Sequence, residues 1–332
     1  MDRPQISIVL PVYNGATFLQ ESIESCLTQT FPFWELIVVD DASTDGTPEI
    51  ISRYTKLDPR IRSIRHDRNC KLPGALNSGF QKARGQYLTW TSNDNTYRPN
   101  ALESMFKFLE ANREVAMVYA DYTVIDQEGA PVERRVVDLP ADDTLHNWVG
   151  ACFLYRREVY IKIGNYADDL FLAEDYDYWL RIRGKFRMGP LHQDLYCYRD
   201  HGASLTRQRA YAVKEAHIRA VERNIGVMNW LRPGALPKFY IDCASAALAV
   251  GDNEGVRRNA LKAMADLRDP KDRAQAYWLL SQSYSLRSRL GLRLMCLVWS
   301  FILDPRRIKG SCCAIIHRMN GVSLQNALCA NL

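Results

Sequence analysis

The chain has 332 residues, of which 47% are hydrophobic and 24% are charged, and its net charge is +5. This composition fits a globular protein large enough for two structural units and excludes a disordered chain. The sequence contains no apolar run of the roughly 18 residues that a membrane-spanning helix needs. Its first residues also lack the apolar stretch of a signal peptide, so we expect a cytoplasmic protein.

The charge is distributed unevenly along the chain. Residues 1–205 contain 23 Lys and Arg against 29 Asp and Glu, whereas residues 206–332 contain 20 against 9. Two segments of opposite charge balance predict two different roles. The nine cysteines are an odd number, and none belongs to a Cys-x-x-Cys pair, which predicts reduced thiols.

Strand-like and helix-like patterns alternate through the first part of the chain. Compact apolar runs predict strands at 6–10, 35–39, 61–65, 87–91 and 115–119. Apolar residues at helical spacing predict helices at 16–29, 48–57, 74–84 and 100–111. This alternation in short units predicts an α/β fold with a doubly wound, mostly parallel, Rossmann-like sheet.

Polar clusters follow three of the predicted strands. Tyr13 follows the first strand, Asp40 and Asp41 the second, and Asn93 and Asp94 the fourth. Ligands of doubly wound sheets bind beyond the carboxyl ends of the strands, so these clusters are candidate site residues. Ordinary turn and helix-cap chemistry is the alternative interpretation of each cluster.

These residue types suit a sugar nucleotide. Tyr13 could stack on the base, Asp41 could accept a base N–H, and Asp40 could bind the ribose or position the loop. The polar segment 91–95 suits a metal ion on the diphosphate, because hard cations take oxygen ligands.

Two further segments carry candidate groups. Glu174 and Asp175 open an aromatic-rich predicted helix, where a carboxylate could act as a catalytic base or could simply favour the helix dipole. Arg199 and His201 lie close together in sequence, and His201 could bind metal or phosphate. Trp148, with residues 150–152, could form an acceptor-side wall or could be core.

The ordered set of motifs resembles family 2 glycosyltransferases of the GT-A fold, across residues 5–206. The pieces that carry the resemblance are Ile8–Gly15, Val38–Thr47, Ala83–Leu88, Asp94–Pro99 and Glu174–Asp177. Segment 89–97 is also similar to spore-coat polysaccharide synthases. Such a family implies transfer of a sugar, with inversion, from a nucleotide-sugar donor, by family weight a UDP-sugar, to a hydroxyl of a glycan or lipid-linked glycan.

The resemblance also implies roles for individual residues. Asp175 would be the catalytic base, Asp94 and His201 would hold Mg²⁺ or Mn²⁺, and Trp148 and Glu174 would face the acceptor. The residues expected to bind the donor are Pro11, Tyr13, Asp40, Asp41, Asn93 and Arg199.

One departure from the family pattern bears on function. Ser92 stands where many members have the first acid of the metal motif, which leaves open a non-catalytic sugar-nucleotide-binding or scaffolding protein. A nicotinamide-dependent oxidoreductase is disfavoured because no Gly-x-Gly-x-x-Gly follows the first strand. The acidic α/β portion argues against nucleic-acid binding.

Composition changes near residue 207. We predict a glycosyltransferase domain at 1–206, a helical extension at 207–285 and a basic amphipathic tail at 286–332. Helical patterns occupy 244–250, 256–267 and 274–286, with a turn at 251–252 and a stop at 269–270. The apolar run 292–303 is flanked by basic residues, which suits a helix in the membrane interface. Packing on the protein or a dimer contact is the alternative.

Overall fold

The structure is a computed structural model that describes residues 3–141, 145–202, 208–284 and 290–304. Its first unit is built on a nine-stranded sheet. The strands are β1 Ile6–Val12, β2 Trp34–Asp40, β3 Ile61–Arg65, β4 Tyr87–Trp90, β5 Thr96–Tyr97, β6 Val115–Ile125, β7 Pro131–Arg135, β8 Phe153–Arg156 and β9 Arg187–Arg199. The helices of this unit are α1 Leu19–Leu27, α2 Thr47–Leu57, α3 Lys71–Lys82, α4 Ala101–Ala111, α5 Arg157–Ile163, α6 Glu174–Arg183 and α7 Ala210–Asn224.

One half of the sheet has the predicted parallel arrangement. Strands β3, β2, β1 and β4 lie side by side in that order, and every pairing among them is parallel. All residues of β1 and β2 are buried, which is why both strands appear in the sequence as continuous apolar runs. The carboxyl ends of β1, β2 and β4 therefore meet at one edge of the sheet.

The other half of the sheet corrects the expectation of a mostly parallel sheet. Strand β8 runs antiparallel to β4 and to β6, and β5 and β7 also pair antiparallel with their neighbours. Only β6 and β9 pair in parallel there. The sheet is therefore mixed. The strand predicted at 115–119 continues to Ile125, because residues 121–125 pair with β9 and residues 122–125 pair with β7.

The edge of the sheet opposite the candidate site is held by a buried carboxylate. Glu35 accepts hydrogen bonds from Ser7 and from the Arg84 N–H, both at 2.7 Å, and pairs with Arg62. Burial raises the pKa of Glu35, but these hydrogen bonds and cations outweigh it and lower the pKa overall. The next residue, Gly85, has to be a glycine, because a Cβ there would lie 2.7 Å from the Gln5 carbonyl oxygen. The Ala-Arg-Gly motif is thus structural.

The first unit extends beyond the predicted boundary at 206/207. The two units divide between Leu231 and Arg232, because α7 packs on α6. Asn224 donates to the buried Asp177 at 2.8 Å, and the exposed Arg223 pairs with Asp169.

The second unit contains four described helices: α8 Ala235–Ala249, α9 Asn253–Asp266, α10 Pro270–Ser283 and α11 Leu290–Leu303. Consecutive helices pack on one another. Asp252 caps α9 by accepting the Gly255 N–H, so the predicted turn at 251–252 is confirmed. Asp269 and Pro270 begin α10 rather than ending α9, since Asp269 accepts the N–H groups of Lys271 and Asp272.

The apolar run 292–303 lies within α11, while the rest of the tail, at 305–332, falls outside the described residues. Within the described ranges, no helix combines the length and apolar character needed to cross a membrane.

One buried histidine makes the stability of the first unit depend on pH. The ring of His217 in α7 lies 4.5 Å from that of Tyr176, and burial, then the charge of Lys214, lowers its pKa to about 4. The unfolded chain binds a proton near the usual value of about 6.5, so stability is lost as pH falls from that value toward the folded one.

We expect the free energy of unfolding to fall by about 2 kcal/mol from this residue between about pH 7 and pH 5. Urea unfolding at both values should show that His217→Phe removes this difference. The exposed His192, changed to Gln, serves as the control. An unaltered pH dependence in His217→Phe would contradict the assignment.

Candidate functional site

The loops that follow β1 and β2 are joined to each other by side chains. The Ser43 hydroxyl accepts the Asn14 backbone N–H at 2.9 Å, and the side-chain Oδ1 of Asn14 accepts the Thr44 N–H at 2.8 Å. Thr47 accepts the N–H of Gly15 at 3.1 Å. Asn14 has φ of 51°, a left-handed conformation that Asn tolerates better than most residues. These contacts fix the loops before any ligand arrives.

Asp41 is held by one of its two oxygens. Its Oδ1 lies 2.7 Å from His66 Nδ1 and accepts the Cys70 N–H at 2.8 Å. The other ring nitrogen of His66 lies 2.9 Å from the Ser78 hydroxyl. A carboxylate can only accept, so Nδ1 is the donor and a neutral His66 accepts from Ser78. The Oδ2 of Asp41 remains the atom that can accept the N–H of a base.

His66 was not among the predicted site residues, although polar residues that directly follow a strand were taken as candidates. His66 directly follows β3, and its N–H donates to the Asp40 carbonyl at 2.9 Å. It therefore belongs to the same row of polar residues at the carboxyl ends of the strands.

The other residues of this edge have different environments. Asp40 is buried, accepts the Ser43 N–H at 2.9 Å and pairs with Arg65 at 2.9 Å. These contacts favour the loop-positioning interpretation of Asp40 over a ribose contact. Pro11 is buried within β1, whereas Tyr13 is 51% exposed and its ring is accessible to a base.

Asp94 and His201 come together from segments more than one hundred residues apart. Asp94 Oδ2 lies 3.0 Å from His201 Nε2. Asp94 Oδ1 is buried and has no hydrogen-bond partner in the described part of the chain. The Asn93 side chain packs closely on the loop after β1. A Cβ on Gly15 would lie only 2.3 Å from Asn93 Nδ2.

Arg199 lies beneath this pair rather than facing a ligand. Its side chain is 3% exposed, and it donates to the carbonyls of Asp94 at 3.1 Å and Gln127 at 2.7 Å. It also pairs with Glu21, and its guanidinium lies 4.6 Å from the Phe18 ring centroid. These contacts indicate a positioning role for Arg199, and its contact with the donor stays a prediction.

The Asp94–His201 pair fits a divalent metal. Two ligands about 2.1 Å from an octahedral ion lie about 3 Å apart at neighbouring vertices, and these two atoms are 3.0 Å apart. The unpartnered Oδ1 supplies a further oxygen of the kind that Mg²⁺ and Mn²⁺ prefer. A second group of possible metal ligands lies elsewhere and consists of Asp41, His66 and Cys70. The hydrogen bonds that Asp41 accepts from His66 and Cys70 explain why these three residues are close together.

Asp175 lies in the first turn of α6, beside a second acid. Its Oδ2 accepts from the Asn147 amide at 3.0 Å, and its Oδ1 accepts the Tyr176 N–H at 2.7 Å. Burial raises the pKa of Asp175. Glu174 is more deeply buried, and burial and then the charge of Asp175 raise its pKa as well. The two hydrogen bonds that Asp175 accepts favour its charged form, so we infer that a proton shared by this pair resides on Glu174.

Trp148 lies in an aromatic cluster under α6. It is buried, its ring centroid lies 6.3 Å from that of Tyr176, and the Arg183 guanidinium lies 5.1 Å from its ring centroid. This environment favours core packing over the predicted acceptor-side wall. Its neighbour Asn147, which sequence analysis missed, is the residue that touches Asp175.

The family model described as Glycosyl transferase family 2 matches residues 7–164. The putative teichuronic acid biosynthesis glycosyltransferase TuaG of Bacillus subtilis (strain 168) is 31% identical over 153 residues, which are 45% of this chain and 60% of TuaG. The putative glycosyltransferase EpsE of the same organism is 32% identical over 221 residues, which are 64% of this chain and 80% of EpsE.

Solved structures show the same architecture. TarS 1–349 of S. aureus in complex with UDP-GlcNAc has a TM-score of 0.60 at 15% identity, covering 92% of each chain. The mannosyltransferase PcManGT of Pyrobaculum calidifontis, in complex with GDP-Man and Mn²⁺, has a TM-score of 0.52 at 20% identity, covering 90% of this chain and 88% of that chain.

Fold and site together define a GT-A protein with a C-terminal helical region, as the sequence predicts. The chain spans four fifths of EpsE at 32% identity, and it therefore belongs to glycosyl transferase family 2. It spans 60% of the length of TuaG.

Proposed function

We propose that this chain transfers a sugar, with inversion, from a UDP-sugar to a hydroxyl of a glycan or lipid-linked glycan during synthesis of a bacterial surface polysaccharide. The observation that carries the proposal is the row of functional groups at one edge of the sheet: Asp41 after β2 and Asp94 with His201 after β4. Asp175 at the start of α6 supplies the remaining group.

Asp41 and Tyr13 form the part of the site that would bind the base of the donor. The free Oδ2 of Asp41 can accept the N3–H of uracil, while its Oδ1 is fixed by His66 and Cys70. The exposed ring of Tyr13 offers a stacking surface. A guanine N1–H would satisfy the same oxygen, and the two solved relatives carry UDP-GlcNAc and GDP-Man. We choose UDP because the UDP-GlcNAc complex of TarS has the higher TM-score.

The reaction then needs one base and one leaving group. Asp175 takes the proton of the acceptor hydroxyl as the acceptor oxygen bonds to the anomeric carbon. The bond from that carbon to the diphosphate breaks, and UDP leaves. This single displacement inverts the anomeric centre. A raised pKa makes Asp175 a stronger base, and the two hydrogen bonds to its oxygens favour its charged form.

A divalent metal on Asp94 and His201 would neutralise the charge that develops on the leaving diphosphate. Arg199 fixes the backbone of Asp94 through its carbonyl, and its own N–H donates to the Asn95 side chain at 2.8 Å. These contacts hold the metal-binding segment in place.

The acceptor is inferred from the relatives. TuaG carries teichuronic acid biosynthesis in its name, and a teichuronic acid is a surface polysaccharide. A hydroxyl-bearing glycan acceptor agrees with the use of a carboxylate base at Asp175.

Donor binding provides the direct test. Thermal unfolding with UDP-, GDP- and dTDP-sugars in the presence of Mn²⁺ should show the largest stabilisation with a UDP-sugar, of about 2.7 kcal/mol at a hundredfold excess over Kd. Asp41→Asn keeps an oxygen for His66 and Cys70 but turns the free edge from an acceptor into a donor. It should weaken UDP binding by about 10- to 100-fold.

The exposed Asp169, changed to Asn, is the matched control and should bind UDP normally. If no nucleotide sugar stabilises the protein, or if Asp41→Asn binds UDP as tightly as the parent, the proposed donor site is wrong. Donor binding without release of UDP in the presence of glycan acceptors would instead favour a sugar-nucleotide-binding protein.

A further inference from the structure

Helix α11 is apolar on both of its faces. Cys296, Leu297 and Ser300 are buried, and α10 is the helix against which α11 packs. The ring of Trp299 stacks on that of Tyr277 from α10, with centroids 6.2 Å apart. One face of α11 therefore packs on the helical unit, and Trp299 lies at the boundary of that face.

The opposite face, which we call the outer face of α11, exposes large apolar side chains. Its members are 41–60% exposed and are Leu292, Leu294, Met295, Val298, Trp299 and Ile302. They recur at the three- and four-residue spacing of one helix surface. The charged residue of this helix, Arg293, is half-buried and donates to the Tyr284 carbonyl at 3.1 Å. The outer face therefore carries no charge of its own.

Such a face is unusual on a helix that faces water. Helices α8 to α11 pack in sequence order, and a surface helix ordinarily presents polar residues on its outer side. Contiguous exposed apolar patches of this kind mark interaction surfaces. The 14 residues of α11 span about 21 Å, a length that suits a helix lying along a surface.

The charge of residues 286–332 indicates which kind of partner the outer face of α11 binds. Residues 286–332 contain seven Lys and Arg against one acid, Asp304. Six of the seven basic residues flank α11 in sequence and lie outside the described residues; the seventh is Arg293. A second copy of the chain would bring the same positive charge to the contact, which opposes self-association. An anionic lipid surface brings the opposite charge, accepts apolar side chains below its headgroups and accommodates Trp299 at the boundary.

We propose that the outer face of α11 docks the chain on the surface of an anionic membrane. The helix lies in the interface, with its apolar side chains in the upper acyl region. The inference stands independently of the proposed reaction, although it would raise the local concentration of a lipid-linked acceptor.

Vesicle flotation of the full chain tests the proposal. The parent should float with vesicles of phosphatidylcholine and phosphatidylglycerol at low salt, less at high salt, and poorly with phosphatidylcholine alone. Val298→Glu/Ile302→Glu changes two outer-face residues that are 54% and 60% exposed, so the fold should be kept. It should reduce the partition coefficient by at least about a hundredfold, because two apolar side chains no longer enter the lipid.

The matched control is Val250→Glu/Leu261→Glu, which makes the same charge change at two sites of the same unit that are 57% and 55% exposed. This control should float like the parent. The proposal fails if the parent does not float with anionic vesicles, or if both double variants float equally well. It also fails if sizing shows that the outer-face variant splits an oligomer while flotation is unchanged. Normal UDP binding by the outer-face variant separates this result from the test of the donor site.

Discussion

Changing Asp175 to Asn is expected to lower the rate of sugar transfer by about 10²- to 10⁴-fold, the usual cost of losing a general base. Asn has nearly the same shape but cannot take a proton. Its single side-chain oxygen can accept the Tyr176 N–H, and its NH₂ group can donate to Asn147 once the Asn147 amide is flipped. Donor affinity should be unchanged, because Asp175 has no contact with Asp41, Asp94 or His201 among the described residues. Single-turnover transfer and UDP titration together measure both quantities.

The neighbouring carboxyl provides the control. Glu174→Gln mimics the protonated form that we infer for Glu174, so this variant should retain most of the activity. Because burial raises the pKa of Asp175, the parent rate should fall on acidification at a higher pH than an ordinary Asp would give. If Glu174→Gln loses activity and Asp175→Asn keeps it, the two carboxyls have exchanged roles.

The parallel half of the sheet could be predicted because its signal is local. Strands β1 and β2 are buried on both sides, so each is a continuous apolar run bounded by polar loops. Strands β5 and β8 have only two and four residues, and β9, although it has 13, mixes exposed and buried positions instead of forming one apolar run. Their positions depend on pairing with strands that are distant in sequence, and for that reason the mixed half escaped prediction.

The candidate site shows the same contrast between local signals and contacts with distant residues. Asp41, Asp94 and Asp175 occupy places that the sequence pattern identifies directly, namely the ends of strands and the start of a helix. His201, the partner of Asp94, was predicted as well, but the residues that hold Asp41 and Asp175 were not. His66 and Asn147 touch Asp41 and Asp175 across 25 and 28 positions of the chain.

Arg199 illustrates a different limit. Its place in an Arg-x-His element suggests contact with a ligand, whereas Glu21, 178 positions away, occupies its guanidinium. A sequence pattern can identify a functional segment. The direction of a buried side chain, however, depends on contacts with residues that are distant in sequence.

Changing Asp94 to Asn is expected to remove the dependence of UDP binding on metal. Mn²⁺ should strengthen UDP binding by the parent, and the variant should show no such enhancement, because an amide oxygen is a much weaker metal ligand than a carboxylate. The transfer rate should fall by at least about a hundredfold, since the diphosphate would leave without a neutralising charge. Calorimetric titration of UDP with Mn²⁺ and with a chelator measures the enhancement.

Two further variants show whether this loss is specific to the metal. Asp41→Asn should weaken UDP binding equally with and without Mn²⁺, because Asp41 contacts the base and not the diphosphate. Ser92→Asp restores the acid that many family members carry in the motif, and it should increase the affinity for Mn²⁺. Equal enhancement by Mn²⁺ in Asp94→Asn and in the parent would mean that the 3.0 Å contact between Asp94 and His201 is an ordinary structural hydrogen bond. In that case the diphosphate would have to be neutralised elsewhere in the site.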